Sequence, residues 1–123
     1  MTSINELIER LSQLRDQGDP AVQEDEGAIA AWRDRIDAID RIVLALLNER
    51  SRSANAIGHV KQRLNLPVYV PEREQRVLEN VLSGNGGPLE DAAVRHLFER
   101  IIDETRSLER RKYQANRSDK NSH

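Results

Sequence analysis

The sequence predicts an all-α chain, and three observations predict it. Between Ile29 and Leu64, apolar residues recur in alternating steps of three and four: Ile29, Trp32, Ile36, Ile39, Val43, Leu46, Ile57, Val60 and Leu64. That is the seam of a long helix packed on another helix. No segment alternates apolar and polar residues as a half-buried strand would, and no internal repeat appears. Proline, glycine and capping residues fall where helices would start and stop.

The elements follow in order. Residues 3–15 form a short amphipathic helix with Ile4, Leu7, Ile8, Leu11 and Leu14 on one face. Ser3 and Glu6 make a capping box at its start. The stretch Gly18–Gly27 (GDPAVQEDEG) combines turn formers and acids and reads as a linker. The long helix then starts near Asp25 or Gly27 and stops at Leu66, because a residue before proline avoids the helical region. At 1.5 Å per residue it is roughly 55 Å long. A compact chain of this length has a diameter of only about 35 Å. An intertwined homodimer, with a partner chain covering the remainder of the seam, is therefore expected; the alternative is a break near Gly58.

Pro67–Pro71 is an extended connector. Pro71 suits the first position of a helix, and Glu72 and Glu74 suit its positive end. Val77, Leu78, Val81 and Leu82 give that helix an apolar face. Ser83–Pro88 (SGNGGP) stops it. This glycine-rich turn lacks both the dinucleotide fingerprint and the P-loop lysine. Pro88 is expected to open the last helix, with Glu90 and Asp91 in its first turn. Its stripe is Val94, Leu97, Phe98, Ile101, Ile102 and Leu108. Thr105 and Glu109 fall on the same face. Each has a bland reading: a hydroxyl bonded back to its own helix, and a carboxylate at a half-exposed helix end.

Composition limits the function classes. The chain has 123 residues, 33% charged, 3% aromatic and no cysteine, which excludes a disulfide framework and thiolate chemistry. No apolar run approaches the roughly 20 residues of a membrane span, and Glu6 and Glu9 spoil a signal peptide. A cytoplasmic protein is expected. Net charge is −2 but uneven: residues 1–28 carry −5 and residues 110–123 carry +4. The basic end holds one aromatic residue, Tyr113, and no nucleic-acid motif. It is expected to be a solvated, disordered tail from 113 to 123. His59, His96 and His123 lack metal-ligand spacing, and neither Ser51 nor Ser53 has a triad partner.

The chemistry-bearing residues are charges where apolar ones belong. Arg50 stands on the seam, and a buried arginine is costly unless an anion meets it. Lys61 lies eleven residues further on, only about 20° around an ideal helix, with Ala54 and Ile57 between. Two cations over a small apolar floor suit a compact ligand with two anionic groups. Arg33 lies about 100° away from Arg50 and would join such a pocket only from a partner helix. Arg73 and Glu74 sit on the first turn of the helix opened by Pro71, where charges are commonly solvated. No nucleophile is identifiable, so the site either binds or catalyses by positioning and electrostatics.

The run WRDRIDAIDRIVLALLNERSRSANAIGHVK resembles the first helix of the all-helical (AroQ-class) chorismate mutases. The matching positions are Arg33, Ile36, Ile39, Asp40, Leu46, Leu47, Arg50, Ile57, Gly58 and Lys61. Pro67–Glu74 is similar to the family's connector, and Leu97–Thr105 resembles its third helix. The resemblance spans about residues 29–112. It implies a three-helix fold with a very long first helix, dimeric, with two sites shared between chains. An extra N-terminal helix with its linker (1–27) would precede the mutase domain (28–112), without counterpart in the minimal fold.

The implied reaction is the Claisen rearrangement of chorismate to prephenate, with no cofactor and no metal. By the same resemblance, Arg50 and Arg33 of the partner subunit would grip the carboxylates. Lys61 would reach the ether oxygen. Arg73 would add positive charge. Glu74 and the Val70 N–H would meet the ring hydroxyl. Thr105 would stand near the ring carboxylate, and Glu109 beside the ether oxygen. Some relatives have Asp at the Val70 position, so only a backbone contact survives there. His59 replaces a frequent lysine. The chain is too short for the dehydratase, dehydrogenase or DAHP synthase domains sometimes fused to this fold, although a DAHP synthase complex is compatible with the extra N-terminal segment. An isochorismate pyruvate-lyase on the same fold and a non-catalytic helical adaptor are the competing readings.

Overall fold

The computed structural model describes residues 3–19 and 26–121. Among the described residues there are four helices: α1 (Ile4–Asp16), α2 (Glu26–Leu64), α3 (Pro71–Ser83) and α4 (Asp91–Asn121). The all-α expectation holds. The linker expected at 18–27 lies largely outside the described residues. The chain divides into two compact units, Met1–Arg50 and Ser51–His123, and α2 runs from one into the other.

In the first unit, α1 begins with the expected capping box. The Ser3 hydroxyl accepts from the Glu6 N–H at 3.2 Å, and the Glu6 carboxylate accepts from the Ser3 N–H at 3.1 Å. Such a short helix is marginal alone, so packing must hold it. Leu7 and Leu14 are buried against Ala38 and Ile42, with Ala45 packed on the cluster. Each buried leucine contributes about 1.5–3 kcal/mol.

The far end of α1 is closed by Arg35 of α2. Its guanidinium donates to the Leu14 carbonyl at 3.0 Å and to the Gly18 carbonyl, lies 3.8 Å from Asp19, and sits 5.7 Å from the Trp32 ring centre. A helix leaves its last carbonyls without partners and negative in sign, and a cation from the neighbouring helix meets both needs. Gly18 has φ +67, the left-handed turn that ends helices.

α1 therefore docks on the Ala38–Ile42–Ala45 face. Ile29, Ile36, Ile39, Val43 and Leu46 stay 38–53% exposed. The seam read from the sequence is not the surface that α1 covers, because on an ideal helix the two faces lie about 110° apart.

α2 is unbroken at Gly58 and ends at Leu64, two residues before the expected stop. Asn65 adopts φ +55, and the Leu66 N–H turns back to the Lys61 carbonyl at 2.8 Å. Asn tolerates that left-handed geometry, and Pro67 then prevents any continuation.

In the second unit, Val70 is the N-cap of α3 and Pro71 its first residue. Leu78 on α3 and Val94 and Ile102 on α4 are buried, and these two helices pack together. One expectation about α4 needs correction. The helix starts at Asp91, not at Pro88, because residues 85–91 are tied in a loop. Asn85 accepts from the Gly87 N–H and donates to the Leu89 carbonyl and the Asp91 carboxylate, and Gly87 takes φ +77. α4 is described through Asn121. No proline or glycine interrupts 91–121, and basic residues suit a helix C-terminus.

Candidate active site

Lys61 and Glu109 come together in the second unit. The Lys61 ammonium donates to the Val68 carbonyl at 3.0 Å and lies 3.9 Å from the Glu109 carboxylate. Their side chains are only 19% and 11% exposed. α2 supplies the lysine in its last turn, and the turn after it folds Val68 back onto that lysine. α4 supplies the glutamate. Gly58, one turn before Lys61, faces Glu109: a Cβ there would lie 3.7 Å from the Glu109 Cγ, ordinary contact distance. The last helix thus brings a carboxylate to Lys61.

Thr105 stands one turn before Glu109. Its hydroxyl donates to the Ile101 carbonyl at 2.8 Å, the back-bonded state that polar residues on helices often take. Val70 is half-buried, with φ −129, and its carbonyl accepts from the Arg73 and Glu74 N–H groups at 3.1 and 3.2 Å. Arg73 is exposed.

Glu74, on the inward side of α3, meets a cation that the sequence reading passed over. Arg106 of α4 lies 3.5 Å from the Glu74 carboxylate, pairs with Asp103, and stacks over the Tyr69 ring at 4.9 Å. Its position could have signalled this: four residues after the buried Ile102 and three before Glu109, it borders the apolar stripe of α4.

Arg33 and Arg50 belong to the first unit, where Arg33 is exposed and Arg50 half-buried. A narrow cavity in the second unit is lined by Asn55, Gly58, Gln62, Val68, Glu109 and Tyr113, among others. Of the expected site residues only Glu109 lines it. Asn55 points its Oδ1 away from solvent there with no hydrogen-bond donor among the described residues.

Among the described residues no cluster of side chains could hold a metal ion. The arrangement offers two acid–cation pairs, Glu109 with Lys61 and Glu74 with Arg106, each joining α4 to another helix of its unit. Such pairs can hold donors and acceptors at fixed positions toward a polar, anionic ligand.

The family described as chorismate mutase type II matches residues 32–110. The chain belongs to the chorismate mutase type II family. Both members of the Lys61–Glu109 pair and of the Glu74–Arg106 pair fall inside the matched range.

Solved chorismate mutases share the fold. Form II from Thermus thermophilus superimposes with a TM-score of 0.66 at 38% identity, covering 68% of this chain and 94% of that one. Form I from the same organism gives 0.62, also at 38% identity, covering 63% and 96%. Among curated relatives, the bifunctional chorismate mutase/prephenate dehydratase of Aquifex aeolicus (strain VF5) is 42% identical over 83 residues, 64% of this chain and 23% of that protein. That of Neisseria gonorrhoeae is 45% identical over 78 residues, 63% of this chain and 21% of that protein. The chain thus spans less than a quarter of the length of these two relatives. Residues 1–31, including α1, precede the matched range. No helix among the described residues is long and apolar enough to cross a membrane.

Proposed function

We propose that this chain is a chorismate mutase, converting chorismate to prephenate on the route to phenylalanine and tyrosine, in the cytoplasm. The observation that carries the reading is Lys61, held inward between the Val68 carbonyl and the Glu109 carboxylate within the segment that matches the family. In this rearrangement an ether C–O bond breaks while a C–C bond forms within one molecule. Negative charge grows on the ether oxygen, and the flexible dianion must be held in a compact, chair-like form. Nothing need be transferred to the protein, so catalysis consists of restraint and charge stabilisation.

In this reading Lys61 donates to the ether oxygen and a carboxylate, and Glu109, when protonated, donates to the same oxygen. Glu74 accepts from the ring hydroxyl, which the Val70 N–H also approaches. Thr105 turns its hydroxyl to the ring carboxylate, breaking its bond to Ile101, and Arg73 adds positive charge. Arg50 and Arg33 of the partner subunit grip the substrate carboxylates.

The last assignment requires a homodimer, and the exposed stripe of α2 supports one. Ile29, Ile36, Ile39, Val43, Leu46, Ile57, Val60 and Leu64 are each 38–60% exposed in the single chain. An apolar stripe of this kind is a surface for another helix, and a second copy of α2 carries the complementary stripe. A DAHP synthase complex would be an additional partner, for which α1 offers the unmatched surface. The deciding experiment incubates the purified chain with chorismate and with isochorismate. Prephenate from chorismate supports the proposal; salicylate and pyruvate from isochorismate alone would replace it with a lyase.

A further inference from the structure

We propose that Arg106 is a positioning residue for the substrate's hydroxyl end, acting through Glu74; this rests on the mutase reading above. Glu74 has an awkward task in that reading. It must offer an acceptor to a hydroxyl on a molecule that carries two negative charges, and an unaccompanied carboxylate would repel that molecule. Arg106 resolves the conflict. Its guanidinium stands 3.5 Å from the Glu74 carboxylate, and both side chains are 25% exposed, so the pair is partly shielded from water.

The guanidinium is itself fixed on two further sides. Asp103, one turn back on α4, pairs with its other nitrogen, and the Tyr69 ring lies under its plane at 4.9 Å. Tyr69 belongs to the connector just before Val70, the residue whose N–H shares the hydroxyl in the proposed site. Arg106 therefore links the three pieces that define that end of the site: α4, the first turn of α3 and the connector. A flat guanidinium can pair edge-on and stack face-on at once, which a lysine cannot do. The backbone helps as well. The Glu74 N–H is bonded to the Val70 carbonyl at 3.2 Å, so holding the Glu74 side chain also restrains the segment that carries the Val70 N–H.

The test is a double-mutant cycle on the full chain with chorismate as substrate. Arg106→Met should raise KM about tenfold, the scale of one uncompensated charge contact, with a smaller fall in kcat. Glu74→Gln should lower kcat/KM through loss of the acceptor. In the Glu74→Gln background the repelling charge is gone, so Arg106→Met should cost less than about threefold, the range of a near-neutral change. Arg106→Lys, which keeps the charge and loses the stacking plane, should fall between wild type and Arg106→Met; it also serves if the methionine variant misfolds by circular dichroism. A purely structural arginine would cost the same factor in both backgrounds, and losses that multiply in this way overturn the inference while leaving the mutase reading intact. A wild-type chain that does not turn over chorismate overturns the mutase reading, and this inference with it.

Discussion

Removing the Lys61 ammonium is the most informative single perturbation. In the resting chain the group donates one hydrogen bond to the Val68 carbonyl at 3.0 Å and stands 3.9 Å from the Glu109 carboxylate, with 19% of the side chain exposed. Lys61→Met keeps most of the aliphatic stem and deletes those contacts. The lost hydrogen bond from a charged donor is worth about 1.5–3 kcal/mol. Removing a partly exposed cation returns some of that by ending its own desolvation, so the fold should lose about 1–2 kcal/mol and survive. Catalysis should lose more. A donor aimed at charge that exists only in the transition state is worth about 10²–10³-fold in kcat, or roughly 3–4 kcal/mol. The assay follows the disappearance of chorismate under saturating and limiting substrate, with a urea melt of the same preparation. The expected signature is kcat down at least about a hundredfold, with a smaller rise in KM from the lost carboxylate contact. A large rise in KM with kcat nearly unchanged would refute the reasoning, because Lys61 would then bind ground state and transition state alike.

Other outcomes are expected as well. Gly58→Ala should fold, and should melt higher by up to about 1 kcal/mol of stability, because alanine favours mid-helix positions and the added Cβ meets Glu109 at an ordinary 3.7 Å; thermal melting and chorismate turnover check it, and loss of the fold would mean a tighter approach than the structure shows. Arg35→Ala should free the Leu14 and Gly18 carbonyls and loosen α1, opening α1 to limited proteolysis while kcat/KM stays within about threefold, the range of a surface change worth under 1 kcal/mol; deletion of 1–24 should likewise preserve turnover. Inactive Arg33→Ala and Arg50→Ala chains, mixed and refolded, should regain activity in heterodimers that hold one intact site, and heterodimers shown to form without activity would take Arg33 out of the partner's site. Glu109→Gln should flatten the pH profile: the wild type should lose kcat/KM as pH rises and Glu109 gives up the proton it would donate, whereas the amide, facing the same Lys61 and Gly58, donates at every pH.

Much of the fold was legible because local chemistry decides it. The Ser3–Glu6 box, Pro71 at the start of α3 and the stop before Pro67 all act within one turn of the backbone, and all appear where their residue types require. The start of α4 was not legible for the complementary reason. Pro88 is a good first helical residue in isolation, but the Asn85 side chain makes bonds forward to Leu89 and Asp91 that no pattern of apolar residues announces. The candidate site divides in the same way. Lys61 and Glu109 could be found because each interrupts a stripe. Arg106 only borders a stripe, and a long side chain there is easily dismissed as solvated until a carboxylate is seen across from it.

The pairing of Glu74 and Glu109 with Arg106 and Lys61 has a consequence for how a dianion would be drawn in. With both carboxylates ionised each pair is electrically neutral, so before substrate binds the four side chains supply direction without net attraction. The charge that raises affinity must come from further cations. In the mutase reading these would be Arg73 on α3 and the Arg33 and Arg50 that the sequence pattern puts forward. Affinity and charge stabilisation would then rest on different residues. Salt should weaken the first, because exposed charges such as Arg33 and Arg73 are screened over about 8 Å at physiological ionic strength. It should act less on Lys61 and Glu109, whose side chains are only 19% and 11% exposed in the single chain. Raising ionic strength should therefore raise KM while leaving kcat nearly constant. Parallel losses in both would mean that the inward pair is as open to solvent as the outer arginines, and the division of labour would fail.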